Sequence, residues 1–216
     1  MPSGTRDTLA VSEIDMQFSD KARQRIRRTA VLLIAAAAVV AASGWAERER
    51  NKEEEYAVYS AYLSEGLLND VHDWSVGGPV QVVISDRTIS GGNPRFRLLY
   101  LFDGRVHFGD LHASTRASYL VRNLFQTRIL RKFVLPSRAT VNFTSQSDYG
   151  SAEFQKKFPR NMGLIVLSGA GFNPFHSQAI FYIDHLCGLC GGGRYVLMEK
   201  VDGAWHVRDE HYIWIS

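Results

Sequence analysis

The last third of the chain, Leu164 to Ser216, reads LIVLSGAGFNPFHSQAIFYIDHLCGLCGGGRYVLMEKVDGAWHVRDEHYIWIS. Apolar, β-branched and aromatic runs recur in it at short intervals. They are LIVLS (Leu164 to Ser168), QAIFYID (Gln178 to Asp184), YVLMEK (Tyr195 to Lys200), AWHV (Ala204 to Val207) and YIWI (Tyr212 to Ile215). Turn residues separate these runs, and Asp202-Gly203 is a hairpin signal between the third and the fourth. Consecutive strands with such short connections must be antiparallel, because a parallel crossover needs a dozen or more residues.

Working backwards, Glu153 to Phe158 has room for two helical turns before Pro159 stops them, and Thr140 to Thr144 makes a short strand. Ser114 or Thr115 can cap a helix from Arg116 to about Arg128, with Tyr119, Leu120, Leu124 and Phe125 as its buried stripe. Arg95 to Phe102 (RFRLLYLF) reads as a strand, Asp103-Gly104 as a hairpin turn, and Arg105 to Phe108 as the return. Pro79 precedes the strand VQVVIS, Val80 to Ser85. Tyr56, Tyr59, Leu63 and Leu67 recur at three and four, which predicts a helix from about Glu53 to Leu68. Asn69-Asp70 and Gly77-Gly78-Pro79 bound the connection after it. The fold class is α+β: two or three helices packed on one face of an antiparallel sheet.

Several residues of the last third resemble a pattern in uncharacterised bacterial exported or membrane-anchored proteins. They are Leu167-Ser168, Gly171-Phe172-Asn173, Gln178-Ala179, the cysteine and glycine turn, Leu197, Lys200, Gly203, Trp205, Trp214 and Ser216. The YAVYSAYL helix and the ISDRT segment extend the likeness loosely. The resemblance implies one exported domain with a sheet-rich end and carries over no catalytic residue. A looser likeness is to small cone-shaped α+β domains whose final strands carry a GxWxV hairpin; it concerns the fold alone.

At the other end, Ala30 to Ala42 reads AVLLIAAAAVVAA, and no charge occurs between Arg28 and Glu47. As helix that gap is about 27 Å, close to one hydrocarbon core. Lys21, Arg23, Arg25, Arg27 and Arg28 precede it and hold that end in the cytoplasm. Three readings fit: a single-pass anchor, a secretory signal peptide cleaved near Ala42, Ser43, Gly44 or Ala46, and a buried soluble helix. The anchor accounts best for the charge asymmetry and for a basic block that starts late. The expected organisation is a disordered cytoplasmic tail with the basic block over 1–27, a transmembrane signal-anchor helix over 28–46, and an extracytoplasmic α+β domain over 47–216. Trp45 suits the membrane interface. The expected location is the bacterial inner membrane, spanned once, with the domain periplasmic or extracellular.

The formal charge of the 216 residues is +3, yet after Ala46 the count is 19 Lys plus Arg against 18 Asp plus Glu. The basic balance belongs to the leader, so nucleic acid is not an expected partner. Arg122, Arg128, Arg131, Lys132 and Arg138 form a local basic patch, read as a solvated helix end or as a surface for an anionic partner. The run ERERNKEEE after Trp45 reads as a solvated continuation of the membrane helix. The expected partners are membrane lipid, through the N-terminal helix, and an envelope protein.

Cys187 and Cys190 are the only cysteines and share the turn CGLCGGG. Outside the cytoplasm a structural disulfide is the natural reading. Redox exchange is disfavoured because Gly191 to Gly193 leave no helix N-terminus to activate a thiol. Zinc would need two further ligands from His185, His176, His206 or His211, whose spacing nothing fixes. Asp86 and Arg87 after one strand, and Asp184 and His185 ending another, are candidates for a ligand or active site. Ser168 lacks a nucleophile elbow, and Ser168 to Gly171 lacks the lysine and helix of a phosphate loop. No catalytic residue, metal ligand or cofactor is assigned. The function read from the sequence is a membrane-tethered binding or assembly domain. The alternative is an envelope enzyme, either a thiol–disulfide oxidoreductase or a hydrolase.

Overall fold

Alternate residues of the central strands go to opposite sides of one sheet, and both sides are buried. The computed structural model describes residues 51–68, 79–90, 98–101, 104–129 and 133–216, all within one unit, 51–216. The strands are β1 (Val80–Ser85), β2 (Ala139–Thr144), β3 (Asn161–Leu167), β4 (Gly171–Phe172), β5 (Gln178–Leu186), β6 (Gly192–Val201) and β7 (Ala204–Ile215). Their order is β2-β1-β3-β5-β6-β7, with β4 on β5. The helices are α1 over 51–62, continued by a π-helical turn Leu63–Leu67, then α2 (Ala113–Arg122) and α3 (Ala152–Lys157).

On one side, Val82, Ile84, Ile165, Leu167, Phe181, Ile183, Val196 and Met198 pack with Val58, Tyr59, Tyr62 and Leu63 of α1. On the other, Val83, Leu164, Val166, Ile180, Tyr182, Tyr195 and Leu197 pack with Tyr119 of α2, Phe154 of α3 and Phe158. Burial on both faces explains why the central strands read as continuous apolar runs rather than alternating ones. The expectation of helices on one face is corrected accordingly.

The antiparallel sheet is corrected as well: the sheet is mixed. The last third is antiparallel, as its short connections require. However, β1 pairs in parallel with β2 and with β3. The connections from β1 to β2 and from β2 to β3 carry α2 and α3, long enough for parallel crossovers. AWHV and YIWI are one strand, β7, which is bulged twice against β6. The Asp202-Gly203 hairpin stands, with φ of 50° and 85°, as a primed turn requires.

Three local expectations fail. Leu98–Leu101 is a 3-10 turn, not strand, and Arg105 to Phe108 forms no strand. Helix α2 begins and ends earlier than its apolar spacing suggests, leaving Leu124 and Phe125 exposed. Its N-terminus has no cap from its own residues. Instead Oε1 of Gln178 accepts from His112 N and from Thr115 Oγ1, both at 2.9 Å.

Among the described residues no helix is long and apolar enough to cross a membrane. The apolar run 28–46, the basic block, Trp45 and the turn residues 69–78 lie outside the described residues.

Candidate functional site

Asp86 and Arg87 lie just past the end of β1. Their backbone is tied into the fold: Asp86 N donates to Thr144 O, Ile129 N donates to Asp86 O, each at 2.8 Å, and Ser85 Oγ donates to Arg87 O at 2.9 Å. No hydrogen bond or ion pair among the described residues joins them to Asp184 or His185. The latter two are neighbours on β5 and therefore project to opposite faces of the sheet. Asp184 is fully buried, and its Oδ1 accepts from Tyr182 Oη at 2.8 Å and Trp214 Nε1 at 2.9 Å. Gly193 sits opposite Asp184 and Trp214 in the ladder. A Cβ there would lie 2.1 Å from Trp214 Nε1 and from Tyr182 Oη. The missing side chain is what lets Trp214 reach across β6 to the carboxylate. On the other face, His185 Nε2 lies 2.5 Å from Met162 O, and burial pushes its pKa below the ordinary histidine value. The four candidates do not form one site. Ser168 is tied into the fold as well: its buried Oγ accepts from Tyr182 N at 2.7 Å and donates to Gly169 O.

Cys187 and Cys190 are at disulfide distance, with Cα atoms 5.3 Å apart. The C-terminal residue closes their turn. Ser216 Oγ donates to Gly188 O at 2.8 Å and accepts from Gly191 N at 3.0 Å, and Ser216 N donates to Gly191 O. Gly188 has φ +74°, and Leu189 at the tip is 95% exposed. No group of three or more potential metal ligands occurs among the described residues.

The densest polar cluster lies elsewhere, where the first turns of α1 meet the end of α2 and the loop Ser168 to Phe172. Glu55 Oε1 accepts from Ala170 N at 2.7 Å and from Tyr59 Oη at 2.8 Å, and its Oε2 pairs with Arg122 Nη2 at 2.8 Å. Asn123 holds both backbone polar groups of Gly169: Gly169 N donates to Oδ1 at 2.7 Å, and Nδ2 donates to Gly169 O at 2.8 Å. Ser118 Oγ takes Phe172 N. These side chains satisfy a buried loop whose backbone would otherwise be orphaned. Gly171 is required there, since a Cβ would lie 2.4 Å from Tyr119 N. Burial first, and the Glu55 carboxylate second, hold the Tyr59 phenol well above its ordinary pKa.

Glu54, one residue earlier, binds the opposite end of the sheet order. Its carboxylate accepts from Lys200 Nζ at 2.8 Å and from Trp205 Nε1 at 2.9 Å. Burial acts to raise its pKa, but the hydrogen bonds from Lys200 and Trp205 outweigh it and leave the carboxyl below its ordinary value. Phe172 stacks on His176, contacts Trp205 and lies under the Arg122 guanidinium. Two consecutive glutamates thus fasten the first described turn of α1 to α2, to the 168–172 loop and to the β6–β7 hairpin. Reading ERERNKEEE as a solvated run misses both. The available signal is their phase: Glu55 is four residues before the buried Tyr59, and Glu54 four before the buried Val58.

Comparison with protein-family models, with curated proteins and with solved structures finds no match to this chain.

Proposed function

We propose that this chain is a membrane-tethered extracytoplasmic domain that binds or assembles with another envelope component and performs no chemistry of its own. The observation that carries this reading is the fastening of α1 by Glu54 and Glu55. The first described helix of the domain is thereby held to the sheet and to α2. That suits a rigid domain which presents one surface to a partner. The roles of the buried polar side chains support it: Ser168, Asp184, Asn123 and Glu55 are spent on holding backbone and aromatic groups. Protease added to spheroplasts is expected to digest the carboxy-terminal domain, and mild solubilisation to recover a stoichiometric protein partner. Protection of everything after Trp45 would refute the location, and recovery of the domain alone would refute the assembly.

Thiol–disulfide exchange is the second reading, favoured by the exposure of Cys190 in the turn between β5 and β6. Its test is oxidation of a dithiol substrate by the intact chain with glutathione disulfide as the terminal oxidant, and loss of that turnover in C187S/C190S.

A further inference from the structure

The large exposed apolar side chains of the described residues are unevenly spread. Val121, Leu124 and Phe125 flank or follow Arg122, whose guanidinium pairs with Glu55. Val201 follows Lys200, which pairs with Glu54, and Phe175 lies in the loop whose Ser177 O accepts from Lys200 N at 2.8 Å. Five exposed apolar residues thus surround the partners of Glu54 and Glu55, where the chain enters the domain. Phe125 is 78% and Phe175 88% exposed. Such large aromatics in one rim are costly in water, at about 25 cal/mol for each Å² of apolar surface left unburied.

What covers this rim follows from the chain that precedes it. From Ala46, the end of the apolar run, to Asn51 there are five residues. They span about 18 Å at most, and about 7.5 Å as helix. If the run crosses a bilayer, the entry end of the domain lies within about 18 Å of the hydrocarbon boundary. We infer that the rim of Val121, Leu124, Phe125, Phe175 and Val201 is a lipid-contacting surface, seated at the boundary between headgroups and acyl chains. An interfacial amphipathic helix buries its Phe- and Leu-bearing apolar face about 5–10 Å into that boundary, which sets the depth available to such side chains. Arg128, exposed three residues after Phe125, adds a cation of the kind that pairs with lipid phosphate. The inference rests on the tethered reading given above and adds to it a second, folded contact with the bilayer. That contact fixes which face of the domain points away from the membrane: the cysteine turn, with Leu189 and Ile215, lies at the opposite ends of β6 and β7.

The test uses the full chain in nanodiscs of phosphatidylethanolamine with phosphatidylglycerol. Benzoylphenylalanine is placed singly at positions 38, 125, 175 and 189, and adducts are identified by mass after illumination. Positions 125, 175 and 189 are exposed and tolerate the larger side chain; circular dichroism checks each variant. Lipid adducts at 38, 125 and 175, with their loss at 189, are the expected result. An adduct at 38 with none at 125 or 175 overturns the lipid rim while leaving the tether intact. No adduct at 38 refutes the tether and the rim with it. Crosslinks from 125 or 175 to a second copy of the chain overturn the rim in favour of a self-association face.

Discussion

Asn123 does with one side chain what one residue of a neighbouring strand does with its backbone, taking both the N–H and the C=O of Gly169 in a fully buried loop. N123A orphans Gly169 N, while Gly169 O keeps Ser168 Oγ at 3.2 Å. One orphaned buried group costs about 1–3 kcal/mol, so a loss of about 1–3 kcal/mol is expected, read as a lower urea midpoint with unchanged slope. Gly193 and Gly203 separate two reasons for glycine. At Gly203, φ is +85° with nothing within 4 Å of a Cβ, so G203A should cost only the left-handed penalty of about 1–2 kcal/mol. At Gly193 the obstacle is Trp214, Tyr182 and Asp184, and G193A should cost about 3 kcal/mol or more. Equal losses in the two variants would refute this distinction. His185 sets an acid limit. Burial lowers its folded pKa, with the Met162 carbonyl contact opposing, whereas the unfolded value is about 6.5. Between the two values the unfolded chain binds more protons than the native one, so stability is full above about pH 6.5 and declines as pH falls. H185Q retains a donor for Met162 O and should flatten that decline in urea midpoints taken from about pH 7 to about pH 5. Glu54 acts in a lower window. Its stabilising charge is present above the unfolded value of about 4.3 and is lost as pH falls through its lowered folded value.

Elements differ in how far their residues announce them. Strands β1, β5 and β6 are legible because their β-branched and aromatic runs are long and bounded by turn residues, and the β6–β7 turn because Asp-Gly supplies the positive φ it needs. The parallel pairing of β1 with β2 and β3 is not legible, since it depends on partners brought together by crossovers and leaves no local periodicity. Helix α2 misleads for a nameable reason. Leu124 and Phe125 continue its apolar spacing, but Asn123 turns its amide onto Tyr119 O and Gly169 O and so ends the helix at Arg122. The same event exposes the apolar pair that the lipid rim uses. The candidate site was partly legible: the cysteine turn stood out by composition, whereas Glu54 and Glu55 were hidden in a charge run. At the scale of that turn, C187S/C190S should lower stability by about 2 kcal/mol, the low end expected for a small ring. Ser216 still closes the turn in the variant, so the far-UV spectrum should be unchanged. A loss well above that, with an altered spectrum, would mean that the pair organises β5 and β6 rather than trimming their shared end.

At the scale of the molecule, one mixed sheet separates two apolar clusters among the described residues. A domain of about 170 residues buries roughly 70% of the surface its unfolded chain exposes, which is enough for stability without a tether. Among the described residues, the sheet face under α1 is covered by Val58, Tyr59, Tyr62 and Leu63, and the opposite face by Tyr119, Phe154 and Phe158. Glu54 and Glu55 also find their partners within 51–216, so a cut before Asn51 leaves the fastening of α1 whole. A chain starting at Asn51 should therefore fold on its own. Its unfolding should be a single cooperative transition, with urea curves by far-UV circular dichroism and by tryptophan fluorescence superimposing. Trp205 reports the α1 face and Trp214 the opposite one, so the fluorescence samples both clusters. If the two curves separate, one face has lost packing before the other. Residues before Asn51 would then belong to the core, and the division between a membrane segment and an autonomous domain would be wrong.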